Sequence, residues 1–456
     1  AKRLKVDEAK NLPRIPTTPI SYGDAQHILK NLAGPVVPIE SGWQGGLPFT
    51  YHTGPGPAKI HMSLQIEFDV RPIWNNVAII HGSEEPDRKI IIGNHRDAWV
   101  YGAVDPGSGT SAVLEIARSF GQLLEKGWKP RRTILFQFWD GEEYGLLGST
   151  EWVEQMKADL TKNGVIYINI DSAVSGEKFG ASTVPSLDEF VREATREVQD
   201  PKTKETIHSR WWKHQDKKRE KKFPGEAPDT ARARLGRLGS GSDYTAFLDH
   251  VGVSSVSLGF KGPYGVYHSI LDNFYWMKQW GDPTFEYHAT AAKIGGLMAL
   301  RFAEADVYPF CYEEYAQAIV DHIKKIEKQL VENGDTTKID LRPAIEKASQ
   351  WKGTASELTS RIRSALAADK EDQSVNDYLL QIERDLTDPT GLPGREWFKH
   401  RVYAPGFYTG YAAKPIPGVA EAVDQKAWET ARKELGVFMK ALDRAMQTTQ
   451  RALDLF

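Results

Sequence analysis

His95 lies in Gly-Asn-His-Arg-Asp-Ala-Trp, residues 93–99, directly after the strand-like run 89–92. Asp105 follows ten residues later. A second apolar run, 133–139, leads into Asp140, Gly141, Glu142 and Glu143, and a third, 165–170, leads into Asp171. Three strands would thus deliver His, Glu and Asp side chains at their C-terminal ends. In an open α/β sheet that edge is where ligands bind. One imidazole among several carboxylates there predicts a first-row metal site, with the extra Glu beside a ligand Glu as general base.

Catalytic zinc takes nitrogen and oxygen ligands in near-tetrahedral sites and leaves one position for water. Two zinc ions about 3.5–4 Å apart, sharing a carboxylate, activate a nucleophile and polarise a carbonyl together. His95, Asp105, Glu143 and Asp171, with His268 in residues 265–269, supply two histidines and three carboxylates, a full set. Glu142 cannot share its neighbour's role, because adjacent residues leaving a strand point differently. It is the residue to take a proton from water and pass it to a leaving amine. Asp97 stands two residues beyond His95 and can accept the other ring N–H, fixing the tautomer. Singly, a His at a strand end is more often structural, and a Glu pair more often a solvated surface. Here the pair follows Phe136, Phe138 and Trp139. Unpartnered carboxylates in so apolar a place are costly, and a cation is the economical explanation. His208, His214, His250 and His288 read as structural or surface residues.

The elements that must position these groups follow a strand–helix alternation. Strands are expected at 60–68, 77–81, 89–93, 133–139, 165–170 and 253–258. Helices are expected at 111–124, 149–161 and 187–198. Such alternation implies a largely parallel sheet with helices on both faces. Residues 1–55, rich in Pro and Gly with one helical piece near 23–32, read as a wrapping segment or the remnant of another region. Residues 56–304 read as the α/β domain. From 305 to 456 the strand signals stop, and helical spacing takes over: Tyr315, Ile319, Ile323, Ile326 and Leu330; Leu358, Ile362 and Leu366; Tyr378, Leu379, Ile382 and Leu386; and the stretch 428–456. That predicts an all-α C-terminal bundle. Residues 201–238 interrupt the pattern with Trp211, Trp212 and a basic run from Lys213 to Lys222, diluted by Asp216, Glu220 and Glu226. A solvated surface helix or loop explains that run better than nucleic acid.

Composition agrees with a soluble globular chain. The 456 residues are 40% hydrophobic and 26% charged, and the net charge of −3 gives no case for nucleic acid or an anionic membrane as partner. The single Cys311 excludes an intramolecular disulfide and any cysteine-based zinc site. No apolar run reaches the length of a membrane helix, and no Asn-x-Ser/Thr sequon occurs. The start at Ala1-Lys2-Arg3-Leu4 reads as a fragment or a processed end.

Residues 93–109 (GNHRDAWVYGAVDPGSG), 131–154 (RRTILFQFWDGEEYGLLGSTEWVE), 168–172 (INIDS) and 264–269 (YGVYHS) resemble the glutamate carboxypeptidase and transferrin receptor-like branch of the M28 zinc peptidases, its fungal members above all. The likeness covers the chain from about Leu12 onward. It implies a three-layer α/β/α peptidase domain followed by a helical dimerisation domain, and hence a homodimer. It implies two Zn2+ per chain: His95 and Asp171 on one, Glu143 and His268 on the other, Asp105 bridging. Glu142 matches the family's general base, and Tyr267 the tyrosine that helps polarise the scissile carbonyl. Glu151 and Glu154 match ligands of a structural Ca2+. Ser242 and Tyr411 match substrate-binding positions, the latter in a segment, 400–411, that closes over the site.

Three departures accompany the resemblance. Family members carry a further N-terminal region with most of an apical domain, often with a cytoplasmic tail and membrane helix. The calcium site's partner loop, a substrate-gripping arginine and the anchor would lie there. The resemblance therefore implies a secretory, vacuolar or extracellular setting, with a type II anchor in the missing sequence. The arginine patch of the human glutamate-specific members falls at Ala181, Ser257 and Gly259, and their glutamate-reading lysine at Gly410. A charged pocket is thus lost while the general chemistry is kept. The expected activity is that of a co-catalytic dizinc exopeptidase on small peptides, with a zinc-held hydroxide as nucleophile and Glu142 as base. Carboxypeptidase and aminopeptidase readings stay open. The alternatives are a non-enzymatic receptor or trafficking scaffold like the transferrin receptor, and a mono-zinc relative such as a cyclase. The complete ligand set with its base favours the peptidase.

Overall fold

Ile90, Ile91 and Ile92 have no exposed surface. A run buried on both faces is the mark of an inner parallel strand, and burying each such side chain is worth roughly 1.5–3 kcal/mol. The computed structural model describes residues 5, 7–9, 12, 14–67, 69–222, 232–370 and 372–456. Ala1 to Leu4, Phe68 and Glu226 lie outside the described residues. The chain divides into two units, Ala1–Pro72 and Ile73–Phe456.

The first unit holds α1 (Tyr22–Leu29), whose N-cap Ser21 accepts a hydrogen bond from the Asp24 amide, and two short antiparallel strands, β1 (Ala33–Val36) and β2 (His52–Gly54). The strand expected at 60–68 does not form over 60–67. No neighbouring strand pairs with it among the described residues, and Ile60, Met62 and Ile66 stay exposed. Alternation alone cannot make a strand that has nothing to pair with.

The second unit is built on a six-stranded mixed sheet. Its strands are β3 (Asn76–Ile80), β4 (Glu85–His95), β5 (Arg132–Trp139), β6 (Gly164–Asn169), β7 (Lys178–Thr183) and β8 (Ser255–Lys261), in spatial order β3-β5-β4-β6-β8-β7. The inner four are parallel, and β3 and β7 run antiparallel at the edges. The sequence reading missed β7, whose Gly180, Ala181 and Ser182 carry little strand signal. Pairing with β8 makes it a strand: Gly180 faces Gly259, Ala181 faces Leu258 and Ser182 faces Ser257. Helices α2 (Gly107–Glu125), α3 (Leu147–Gln155), α4 (Lys157–Asn163), α5 (Asp188–Glu197), α6 (Ile207–Lys222), the short α7 (Phe274–Trp276) and α8 (Glu286–Glu304) flank the sheet. The single helix expected at 149–161 is two, broken at Met156. The basic run lies on α6, which buries Ile207 and Trp211 and leaves its lysines outside.

The chain then becomes helical: α9 (Tyr312–Glu332), α10 (Arg342–Ala367), α11 (Val375–Asp385), α12 (Pro417–Asp424) and α13 (Trp428–Leu453). Tyr312 and Tyr315 of α9 pack on Trp351 of α10, whose indole donates to Thr449 of α13 at 2.8 Å. Their buried side chains belong to one hydrophobic core with the sheet. No helix among the described residues is long and apolar enough to cross a membrane.

Candidate metal centre

β4 ends on His95, β5 ends three residues before Glu142, and β6 ends two residues before Asp171. These strands are neighbours, so their ends meet. His95 Nε2 lies 3.0 Å from Asp171 Oδ1, 3.2 Å from Asp105 Oδ1 and 4.0 Å from Glu142 Oε2. His268 Nε2 lies 3.1 Å from Asp105 Oδ2 and 3.3 Å from Glu143 Oε2. Two groups of three potential ligands result, His95–Glu142–Asp171 and Asp105–Glu143–His268. Asp105 faces one imidazole with each of its oxygens.

The local sequence explains how the groups are held. His95 Nδ1 lies 2.9 Å from the Asp97 carbonyl, which keeps a proton on Nδ1 and turns Nε2 toward the carboxylates. The Asp97 carboxylate is farther from that nitrogen, at 3.5 Å, and accepts instead from the amides of Glu142 and Glu143, at 3.0 and 3.2 Å. Asp97 therefore fixes the tautomer through its backbone, and its side chain clamps the Glu142–Glu143 turn. Gly109, in the first turn of α2, admits no side chain: a Cβ there would sit 1.8 Å from the Ile170 carbonyl and 2.0 Å from that of Asp171. Ser242 donates to Asp171 Oδ2 and receives from Asn169 Nδ2 at 2.8 Å, so it orients a candidate ligand.

The electrostatics of the bare cluster are those of a site built around positive charge. Burial alone would lower the His95 pKa, but the Asp171 charge and the imidazole's hydrogen bonds to Asp171, Asp105 and Asp97 outweigh it and hold the imidazole well above its usual range. Burial pushes Glu142 up to about 9, with Asp171, Asp243 and Glu143 adding to the rise. Burial and the charge of Asp105 push Glu143 up to about 7. Glu143 Oε1 is buried with no hydrogen-bond partner among the described residues. An orphaned oxygen amid crowded carboxylates and two imidazoles is what a divalent cation satisfies. A His and carboxylate donor set without cysteine suits zinc.

Tyr267 stacks on His268 with ring centres 3.6 Å apart, and His268 holds a left-handed backbone at φ 54°. Tyr411 lies over Gly241, where a Cβ would come within 2.5 Å of its ring. Both tyrosines line the cavity over the cluster, and Ser242 lies beneath it. Glu151 and Glu154 do not join a three-ligand group among the described residues, and Glu154 accepts the Trp397 indole N–H at 2.7 Å. His250 and His288 are engaged by the Trp397 carbonyl and Asp282, and among the described residues neither they, His208 nor His214 belongs to a three-ligand group.

Two buried carboxylates escaped the sequence reading. Asp272 accepts from the amides of Val104 and Asp105, at 2.9 and 3.1 Å, and from the Tyr264 hydroxyl at 2.8 Å. It ties the His268 loop to the Asp105 loop, and its spacing from His268 was the only available hint. Asp243 follows Ser242 and is fully buried behind the cluster, where burial pushes it up to about 7.

Residues 75–280 match the family model for peptidase family M28, and residues 339–450 match that for the transferrin receptor-like dimerisation domain. The chain carries an M28 peptidase domain and a transferrin receptor-like dimerisation domain. It is 39% identical over 448 residues to the probable glutamate carboxypeptidase LAMP1 of Arabidopsis thaliana, covering 96% of this chain and 62% of that one. A fungal relative, the probable glutamate carboxypeptidase of Arthroderma benhamiae, is 38% identical over 425 residues, covering 89% and 56%. The aminopeptidase NAALADL1 of Rattus norvegicus is 32% identical over 484 residues, covering 99% and 63%. The chain thus spans about three fifths of the length of the curated relatives it matches. All six residues of the two ligand groups lie within the matched M28 domain.

Proposed function

We propose that this chain is the catalytic part of a zinc-dependent exopeptidase that hydrolyses small peptides and holds two zinc ions. The observation that carries the reading is Asp105, which belongs to one ligand group yet faces the other, with one oxygen toward His268 and one toward His95. His95 and Asp171 would hold one ion, Glu143 and His268 the other, and Asp105 would bridge them. Bound zinc supplies Lewis-acid polarisation of a carbonyl and eases deprotonation of water. Glu142 takes the proton of the attacking water on its carboxylate and returns it to the departing amine. The Tyr267 hydroxyl donates to the carbonyl oxygen as negative charge develops there. Ser242 keeps Asp171 oriented, and Tyr411 closes one wall of the cavity. The dimerisation-domain match supports a homodimer through the C-terminal helices. A receptor without catalysis would have no need of a carboxylate aimed at two imidazoles or of a separate Glu142.

Elemental analysis of the purified protein should give about two zinc per chain, as a bridging carboxylate between two metals requires; less than one would overturn the reading. Dipeptides with free or blocked termini then decide which end is recognised. Hydrolysis only with a free amine marks an aminopeptidase, and hydrolysis of N-blocked substrates marks a carboxypeptidase.

A further inference from the structure

The cavity over the metal cluster has a volume of about 450 Å³. Its acidic and histidine lining residues are His95, His268, Asp105, Glu142, Glu143 and Asp171, and no lysine or arginine joins them among the described residues. Arg96, close in sequence, is held away by Asp140 and the Trp74 carbonyl. The uncharged lining carries three aromatic rings, Trp99, Tyr267 and Tyr411, together with Leu146, glycines and serines. Trp99 lies with its ring 5.3 Å from Tyr144 and 6.2 Å from the His268 ring, and Tyr411 stands on the Gly241 backbone. Of the lining rings, Trp99 and Tyr411 are 48% and 70% exposed, which leaves apolar surface open to a ligand.

From this geometry we infer that the site takes peptides with a large uncharged side chain, aromatic or branched aliphatic, beside the scissile bond, in preference to acidic ones. The inference rests on the peptidase reading of the same site. An aromatic side chain seated against Trp99 gains buried area and a ring–ring contact. A glutamyl or aspartyl side chain entering the same space loses its water and meets no cation beyond the metals that the scissile carbonyl must occupy. A lysyl side chain meets carboxylates already committed to metal.

The test compares dipeptides in which each residue in turn is Phe, Leu, Ala, Glu or Lys, using the zinc-loaded chain. On at least one side of the bond, kcat/KM for Phe or Leu should exceed that for Glu and for Lys by about tenfold or more, the scale of hydrophobic-pocket discrimination. Equal or faster cleavage of Glu or Lys on both sides overturns the inference. Trp99→Ala should collapse the Phe-over-Ala ratio to about threefold or less, acting mainly through KM, while Trp99→Phe keeps most of it. Zinc content matching the unmodified chain shows that His268 is undisturbed; an intact ratio in Trp99→Ala sinks the role of Trp99. Binding of dipeptides with a reduced, uncleavable bond, read by intrinsic fluorescence, separates the two claims. Selective binding of the Phe analogue without turnover of any substrate refutes the peptidase and upholds the pocket. Turnover without apolar preference does the reverse.

Discussion

The two ligand groups differ in what holds them. His95, Glu142 and Asp171 come from the ends of three adjacent strands, and the His95 side chain is only 1% exposed. In the other group, His268 sits in a loop at a positive φ and its side chain is 32% exposed. The first group is set at the end of the sheet, where β4 pairs with β5 as far as His95 and with β6 as far as Gly93. The second is fixed by one buried carboxylate, Asp272, which ties its loop to Asp105. One group thus rests on three strand ends, and the other depends on a loop for its imidazole.

That contrast can be broken in order of effect. Glu142→Gln should leave zinc content unchanged and lower kcat roughly 10²–10⁴-fold, the range for a lost general base; activity within tenfold of the parent would remove Glu142 from that role. Replacing each histidine then compares the halves directly. Urea unfolding in chelator should show His95→Ala destabilised by about 3–5 kcal/mol, since it strips the partner from buried carboxylates. His268→Ala, at a side chain about one third exposed, should lose about 1 kcal/mol. Equal losses would mean the halves are equally rigid. Glycines probe the same difference without touching a ligand. Gly109→Ala forces a methyl onto the Ile170 and Asp171 carbonyls, and should cost about 1–3 kcal/mol or more. Gly265→Ala, in the loop of His268 with no atom near its would-be Cβ, should stay within about 0.5 kcal/mol. Last, Asp272→Asn should weaken zinc binding about 10–100-fold, as loss of an orienting partner does. Competition with a colorimetric chelator should show the loss in one of the two ions, and a uniform loss in both would contradict the tethered-loop account.

The strand ends were readable because each carries its own signal: a buried apolar run followed at once by His95, by Glu142 and Glu143, or by Asp171. His268 had no strand before it and entered through spacing and resemblance. Asp97 was expected to accept the second ring N–H of His95; in the structure its carbonyl meets that nitrogen, and its carboxylate accepts from the Glu142 and Glu143 amides. Whether a two-residue offset presents a side chain or a carbonyl depends on the backbone turn after β4, which residue types do not encode. The strand at 60–67 failed for a related reason. Alternation describes a surface that pairs well, and pairing needs a partner.

The sequence by itself determined the residue types of the centre, the largely parallel character of the sheet and the helical character of residues beyond 305. Each rests on local chemistry or on periodicity, which a chain displays without its fold. Only the tertiary structure decided that one aspartate faces two imidazoles, that Asp272 joins two distant loops and that Trp99 forms an open aromatic wall. Those are distances between segments far apart along the chain, set by how the strands stack side by side.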